Sequence, residues 1–306
     1  MINFNQKKLT ISFTKGKFFS ISYQITLFAI IFSFFGSEFY QNFIAGLGIL
    51  SLGILHGAND LKIIGKSDLK IKSGNSLNYL ILYLVIVVLG ITVFYFIPGI
   101  ALLSFIIVSC YHFGEQHWDN RLKHQKGSYI FYFTYGAFIF FMLFTLKYEE
   151  TSEVIFKITT LILPFSFFAI SLTFFALSLI ILFLIQLDSI NTTGKELFLL
   201  GLLAVLFLKG TLLFGFGLYF VVWHSFPSLR SQVKHIYQNL NKTSILEYLK
   251  SALLYWIIAL VGLFGAYFFL KIPTDQYLPL FFSFLAAITF PHALVMGRMF
   301  SIPRND

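Results

Sequence analysis

Four histidines stand at the ends of four separate apolar runs in this chain: His56, His112, His224 and His292. An imidazole at the edge of a lipid bilayer costs free energy unless it is paired or used. Neutral imidazole is a good ligand for iron, copper, zinc and nickel, and a single cysteine cannot build a cysteine-based metal site. The four residues therefore indicate a transition-metal centre held by histidine nitrogens. The alternative is that each is only an interfacial polar residue.

Two carboxylates accompany these histidines. Asp60 stands four residues after His56, which places it one helical turn away if the helix is continuous. A carboxylate there can accept the second N–H of a metal-binding imidazole and fix its tautomer, although an ion pair with Lys62 is an equal alternative. Glu115, three residues after His112, shares the helix face of that histidine and is the second candidate for this supporting role.

The remaining histidines have other predicted roles. His117 stands five residues after His112, which is a rotation of about 500° on a helix, so the two face different directions. His117 and His124 lie beside tryptophan, arginine and lysine residues, and we interpret both mainly as interfacial. His235 lies in a basic segment and is predicted to be solvated.

The composition is that of an integral membrane protein. The chain has 306 residues, of which 58% are hydrophobic and 11% charged, with a mean hydropathy of +0.81. Soluble domains carry about 25% charged residues. Because no polar stretch is long enough to bury a core of its own, residues 1–306 are predicted to form one membrane domain. The net charge of +9 comes from loops between apolar runs, which argues for topology signals and lipid contact and against nucleic acid.

The apolar runs predict an all-α polytopic transmembrane bundle. A helix that spans the hydrocarbon core needs about 20 residues. Such runs lie at 18–36, 39–57, 77–97, 99–116, 128–147, 158–187, 210–227, 250–271 and 277–299. The segment 197–208 is counted as a short further span, giving about ten crossings within a range of eight to ten, and Pro164 predicts a kink or tilt in the run 158–187.

Loop charges predict the orientation of the bundle. Lysine and arginine are concentrated in residues 1–17, in the loops after residues 57 and 116, in the loop 225–249 and at the C-terminus, whereas the loop 147–157 is acidic. The positive-inside rule then places both termini and all these basic segments in the cytoplasm. With residues 18–300 as the bundle, the four histidines fall at one depth near the cytoplasmic side, as a shared metal ion requires.

At these residues the sequence resembles the Brp/Blh family of bacterial and archaeal β-carotene 15,15′-dioxygenases. The resemblance rests on an ordered set of short motifs spread over most of the chain. These motifs are His56-Gly57-Ala58-Asn59-Asp60, His112-Phe113-Gly114, Tyr219-Phe220-Val221-Val222-Trp223-His224-Ser225 and Thr289-Phe290-Pro291-His292.

The resemblance implies an enzyme of the bacterial plasma membrane that uses non-haem Fe²⁺ and O₂ to split the central double bond of β-carotene into two molecules of retinal. It implies that His56, His112 and His224 match iron ligands of the family, and that a retinal-binding rhodopsin is a functional partner. The chain departs from the family at Ser228, where well-known members carry a second histidine one turn after His224. The first substitute is His292 and the second is His117; three imidazoles with water, or loss of activity, are the further alternatives.

Aromatic residues next to the candidate ligands are expected to line a site for the hydrocarbon. Phe113, Tyr219 and Trp223 are the candidates, because apolar and aromatic walls exclude water from oxygen chemistry. Each of these side chains has core packing as its alternative role.

Three other functions compete with carotenoid cleavage. A two-iron membrane desaturase needs histidine boxes, and the seven histidines of this chain form none. A haem protein with two histidine ligands is a second alternative. The third is a membrane carotenoid- or lipid-binding or transport protein without catalytic iron, although no pair of broken helices points to a transporter.

Overall fold

The protein is helical in a computed structural model that describes residues 15–67, 76–122, 127–186 and 190–301, and no strand occurs in these ranges. Seven helices within them are long and apolar enough to cross a bilayer. They are Leu77–Phe96, Pro98–Asp119, Ser128–Leu146, Phe165–Ile185, Leu212–Tyr237, Lys242–Phe269 and Thr274–Ser301, with Ile21–Phe35 as a shorter apolar helix. The predicted class, a polytopic helical bundle, is confirmed.

Seven α-helices lie in the described residues up to 159. They are α1 (Lys15–Phe35), α2 (Glu38–Gly48), α3 (Asp60–Ser67), α4 (Ser76–Phe96), α5 (Pro98–Leu122), α6 (Ser128–Leu146) and α7 (Tyr148–Thr159). Helix α2 continues into a π-helical turn at Ile49–Gly53, which leads towards His56.

Six more α-helices lie in the described ranges from residue 165 to 301. They are α8 (Phe165–Gln186), α9 (Ile190–Lys209), α10 (Leu212–Leu218), α11 (Phe226–Tyr237), α12 (Lys242–Phe269) and α13 (Tyr277–Ser301). A second π-helical segment, Tyr219–Ser225, joins α10 to α11 and contains His224, and a 3₁₀ turn at Thr274–Gln276 precedes α13.

The predicted loop at 147–157 is wrong, because this segment is helix α7. Thr151, Ile155 and Thr159 recur at intervals of four residues and form its buried face. The prediction of one kinked run at 158–187 is also wrong, because residues 160–164 are not helical. Helix α7 ends at Thr159 and is followed by Thr160, whose φ of 60° is left-handed, and α8 begins only after Pro164, which lacks the N–H that helix propagation needs.

The predicted loop 225–249 is also largely helical. Pro227 lies in the first turn of α11, which continues directly from the π-helical segment Tyr219–Ser225. Basic residues cover one face of α11, while Gln232, Val233 and Ile236 are buried on the other. The number of charged residues in the segment suggested a loop, but their positions are those of an amphipathic helix. Part of the loop after residue 57 is likewise helix α3, whereas residues 1–14 and 68–75 lie outside the described ranges.

Three predicted crossings are not among the seven long apolar helices but are helical as well: 18–36, 39–57 and 197–208. Helix α1 covers most of the run 18–36, and α2 with its π turn covers most of the run 39–57. The segment 197–208 is the end of α9, a helix of 20 residues, because its helical structure begins at Ile190.

Two glycines allow α5 and α6 to touch along their backbones. A Cβ atom added at Gly114 would overlap the main-chain carbonyl of Tyr132, and one added at Gly136 would overlap the carbonyl of Cys110. Such small-residue contacts let membrane helices approach closely. The two glycines therefore fix the position of α5, the helix that carries His112.

We expect Gly136→Ala to destabilise the protein strongly, by about 3 kcal/mol or more, since neither helix backbone can move aside without unpacking its neighbours. Thermal unfolding of the detergent-purified protein measures the effect. Gly201→Ala in α9 is the matched control, because no atom lies within 4 Å of its added Cβ. Equal melting temperatures for the two variants would contradict the close α5–α6 contact.

Candidate metal centre

The four histidines singled out by the sequence meet inside the bundle. One ligand atom from each of His56, His112, His224 and His292 lies within 4.8 Å of the others. The ring centroids of His56 and His292 are 4.7 Å apart, as are those of His112 and His224. All four side chains are buried, with exposed fractions of 1–5%. The four segments therefore converge at one point, although His112 and His292 lie inside helices α5 and α13 and not at helix ends as predicted.

Two π-helical segments bring two of these imidazoles to that point. The turn Ile49–Gly53 precedes His56, and the segment Tyr219–Ser225 contains His224. Wide π turns of this kind occur frequently at functional sites. Gly53 is required where the segments meet, because an added Cβ would lie 2.6 Å from the ring of Phe220. The missing side chain leaves room for Phe220 between the two histidine-bearing segments.

The imidazole nitrogens at the centre have no hydrogen-bond partner among the described residues. They are Nε2 of His56 and of His292 and both ring nitrogens of His112 and His224. A buried polar atom without a partner costs about 1–3 kcal/mol. A metal ion bound by these nitrogens would remove that cost, and a neutral all-nitrogen donor set suits a first-row transition metal. The residues present therefore fit a metal ion.

Two of the four imidazoles are held from behind by hydrogen bonds. His56 Nδ1 contacts the carbonyl oxygen of Gly53. His292 Nδ1 lies 2.9 Å from Asp60 Oδ1, and Tyr83 donates its hydroxyl to Asp60 Oδ2 at 3.1 Å. Because a carboxylate oxygen accepts a hydrogen bond, Nδ1 of His292 is the donor in this contact. In both histidines Nε2 is left to face the centre, which is the arrangement of a supported metal ligand.

The predicted pairing of Asp60 with His56 is wrong, since Asp60 pairs with His292. The helix does not continue as that prediction required: residues 56–59 form a turn, and α3 starts at Asp60. The alternative partner, Lys62, donates instead to a tyrosine hydroxyl of α11 at 2.7 Å. The carboxylate thus supports an imidazole far away in the chain.

Glu115 is buried and accepts a hydrogen bond from the hydroxyl of Tyr111 at 3.1 Å. Its support of His112 stays a prediction.

Ser228 lies in a buried hydrogen-bond network that extends to the main chain of His56. Its hydroxyl accepts from Gln232 Nε2 at 2.9 Å, and the hydroxyl of Tyr248 donates to Gln232 Oε1 at 2.6 Å. The same Tyr248 hydroxyl lies 3.4 Å from the carbonyl oxygen of His56. Ser228 therefore contributes to a scaffold behind the centre.

His117 is not interfacial, contrary to the prediction. Its side chain is 5% exposed, and its Nε2 lies 3.0 Å from Glu196 Oε2, while Arg121 contacts the other oxygen of Glu196 at 2.6 Å. Tyr135 also donates to Glu196, at 3.2 Å. The only hint of this cluster in the sequence is a glutamate directly before the apolar segment 197–208. His117 thus hydrogen-bonds to Glu196 and is not one of the four histidines whose ligand atoms converge, which argues against it as the second substitute ligand.

Of the other two histidines, only His235 lies in the described ranges, and it is not part of the four-histidine group. His235 lies on the amphipathic helix α11 and is partly buried, and His124 lies outside the described ranges.

Two of the three predicted lining residues lie beside the centre. The ring of Phe113 stacks on His224 with centroids 3.9 Å apart, and Tyr219 stacks on Phe113 at 5.8 Å. Trp223 instead turns towards α1, where its Nε1 donates to Thr26 Oγ1 at 3.0 Å. Sequence reasoning missed Phe220, whose ring centroid lies 5.4 Å from His56 and 5.6 Å from His224. Its position four residues before His224 was the available signal.

Two apolar cavities lie near these helices. One, of about 60 Å³, is enclosed mainly by α5, α6, α7 and α10. The other, of about 440 Å³, lies between α1, the α2 segment and the α10 segment. Of these two cavities, the second has the volume of a typical ligand pocket, which is about 300–1,000 Å³.

Fold and site together define a polytopic helical membrane protein with a buried four-histidine centre suited to a metal ion. A family model described as beta-carotene 15,15′-dioxygenase matches residues 47–300, a span that includes all four histidines. The chain belongs to this family, and the resemblance found in its motifs is confirmed. No curated protein and no solved structure matches the chain. Family membership implies a carotene-cleaving dioxygenase in a membrane.

We expect Asp60→Asn to weaken the affinity of the purified protein for Co²⁺ by about 10–100-fold, because His292 loses its charged partner. Titration of the metal-free protein, followed by the visible absorption of bound Co²⁺, measures this affinity. Asp275→Asn is the control, since Asp275 is exposed beside the start of α13. Equal affinities in the two variants would mean that Asp60 does not support the centre.

Proposed function

We propose that this protein is a non-haem iron dioxygenase that cleaves β-carotene at its central 15,15′ double bond. In the reaction one C=C bond and the O–O bond of O₂ break, and two C=O bonds form. The products are two molecules of retinal, and no further oxidant or reductant is consumed. The proposal is supported by family membership and, above all, by the convergence of four buried imidazoles from four distant segments.

His56, His112, His224 and His292 would hold the Fe²⁺ ion. Bound iron would supply the redox-active site at which O₂ becomes reactive towards the polyene. The backbone carbonyl of Gly53 and the carboxylate of Asp60 orient His56 and His292, so that Nε2 of each faces the centre. In this assignment His292 is the fourth ligand in place of a histidine at Ser228.

The surrounding side chains would bind the hydrocarbon and exclude water. Phe113 and Phe220 lie against His224 and His56, and both are buried. Flat aromatic walls suit a planar polyene, and a dry site protects reactive oxygen species from side reactions. Tyr219 backs Phe113 and would hold it in place, and Trp223 would position the same segment through Thr26. No charged side chain is needed to bind a pure hydrocarbon.

The setting follows from the substrate. A C40 hydrocarbon is confined to lipid, and the apolar helices place this protein in a membrane. We propose the bacterial plasma membrane, with both termini in the cytoplasm as the basic segments suggest. Retinal is a chromophore, so a retinal-binding rhodopsin in the same membrane is the proposed functional partner. No direct contact between the two proteins is implied.

We expect expression in a host that accumulates β-carotene to bleach the cells and to produce retinal. The variants His56→Ala, His112→Ala, His224→Ala and His292→Ala should each lower retinal formation by at least about 100-fold, since each removes one metal-binding nitrogen. Chromatography of the cell extract measures retinal, and elemental analysis of each purified variant measures bound iron.

His235→Ala is the matched control, because His235 lies on α11 apart from the centre. It should keep both iron and activity. Full activity of His292→Ala would remove His292 as the fourth ligand. Carotene bound without iron and without cleavage in the wild-type protein would favour the alternative, a carotenoid-binding or transport protein.

A further inference from the structure

Helix α12 is buried along one narrow stripe in its first half. Ser244, Tyr248 and Ala252 are buried at intervals of four residues, whereas Leu253 and Leu254 are 49% and 61% exposed. Residues four apart lie on one face of a helix. This part of α12 therefore contacts the bundle through one face and leaves its other sides at the surface.

Trp256 extends this stripe by one turn and binds the π-helical turn that precedes His56. Its Nε1 donates to the carbonyl oxygen of Leu50 at 2.8 Å, and Leu50 belongs to the π turn Ile49–Gly53. Because lipid offers no competing hydrogen-bond partner, such a bond ties one membrane helix to another. A side chain of α12 therefore holds the start of the segment that leads to His56.

Asn59 binds the same helix from the other side of His56. It is 2% exposed, and its Nδ2 donates to the main-chain carbonyl of Tyr248 at 3.0 Å. Its Oδ1 lies 2.9 Å from the hydroxyl of Ser251, which lies equally far from the Tyr248 carbonyl, so these two oxygens share one hydroxyl hydrogen. Both ends of the Asn59 amide thus contact α12.

Local hydrogen bonds cannot fix where the turn of His56 lies in the bundle. The contact between His56 Nδ1 and the carbonyl oxygen of Gly53 orients the imidazole only relative to its own segment. Asn59 instead binds this turn to another helix, and it directly precedes Asp60, whose carboxylate holds His292. The placement of Asn59 therefore affects two of the four imidazoles.

We propose that Asn59 is a positioning residue for the metal centre. By binding α12 it holds His56 and Asp60 where the four imidazoles can share one ion, and Trp256 supports the same segment at its other end. The inference rests on the proposed metal-dependent function and adds a role for α12, a helix that carries none of the four histidines. Asn59 itself contacts neither the ion nor the carotene in this assignment.

The test titrates the full-length, metal-free protein with Co²⁺, whose visible absorption depends on the geometry of its ligands. We expect Asn59→Ala to weaken Co²⁺ binding about tenfold and to shift the absorption bands, because the turn is released from α12. Ser251→Ala and Trp256→Phe each remove one side-chain hydrogen-bonding group and should weaken binding about threefold.

Tyr267→Phe is the matched control on the same helix. It removes a hydrogen bond of 2.8 Å from an aromatic side chain of α12 to a main-chain carbonyl, that of Tyr277, away from the histidine-bearing segment. Both the Co²⁺ affinity and the absorption bands should stay unchanged in this variant.

The double variant Asn59→Ala/Ser251→Ala distinguishes positioning from general destabilisation. Once the amide of Asn59 is gone, Ser251 has no contact with the turn, so its loss should weaken Co²⁺ binding no further than Asn59→Ala alone. Independent effects would multiply to about thirtyfold and would overturn the proposed route through Asn59.

An Asn59→Ala protein with a lower melting temperature but the wild-type Co²⁺ affinity and spectrum would overturn the proposal, because Asn59 would then only stabilise the fold. If Asn59→Ala does not fold, Ser251→Ala and Trp256→Phe decide, and Co²⁺ binding equal to that of Tyr267→Phe in both overturns it. A wild-type protein that binds no Co²⁺ overturns it as well. Failure of the proposed function has a different signature: the wild-type protein forms no retinal, yet its Co²⁺ spectrum still depends on Asn59.

Discussion

The main constraint on this structure is the burial of four imidazole rings at one point in an apolar helical bundle. One nitrogen from each of His56 and His292 and both nitrogens from each of His112 and His224 lie buried at one point with no hydrogen-bond partner in the described part of the chain. At about 1–3 kcal/mol for each such atom, this arrangement would be a heavy burden on a marginally stable protein. A cation bound by these nitrogens would offset the free-energy cost of burying them without hydrogen bonds. The fold holds the four rings close enough together to share such an ion.

The rest of the bundle supplies rigidity around this point. Glycine contacts lock α5 to α6, and the ion pair between Glu196 and Arg121 ties α9 to α5. At the opposite end of α10, Thr211 caps the helix through the N–H of Phe214, and Glu150 accepts the N–H of Leu212. These polar contacts satisfy the free N–H groups of a helix that begins inside the protein. The π segment that carries His224 is therefore held from both sides.

The grouping of the four histidines could be predicted from the sequence, because each interrupts an apolar run near its end and the loop charges place all four at one depth in the membrane. The sequence did not predict the pairing of Asp60 with His292, which depends on the turn at residues 56–59 and on a contact 232 residues apart in the chain. Helices α7 and α11 were predicted to be loops because the prediction used the number of their charged residues and not the helical spacing of their apolar residues. Their buried faces became evident only where neighbouring helices cover them.

The serine at position 228 is explained by the same geometry. Ser228, Gln232 and Tyr248 form a buried network whose last hydroxyl lies near the carbonyl of His56. The family resemblance led us to expect a histidine at position 228, but here the serine is part of a hydrogen-bond network that contacts the backbone of His56. The fourth imidazole comes from α13 with its own carboxylate, so the set of four is complete without position 228. The Ser228 hydroxyl accepts a hydrogen bond from the buried Gln232 amide, and a histidine at this position would have to replace that contact.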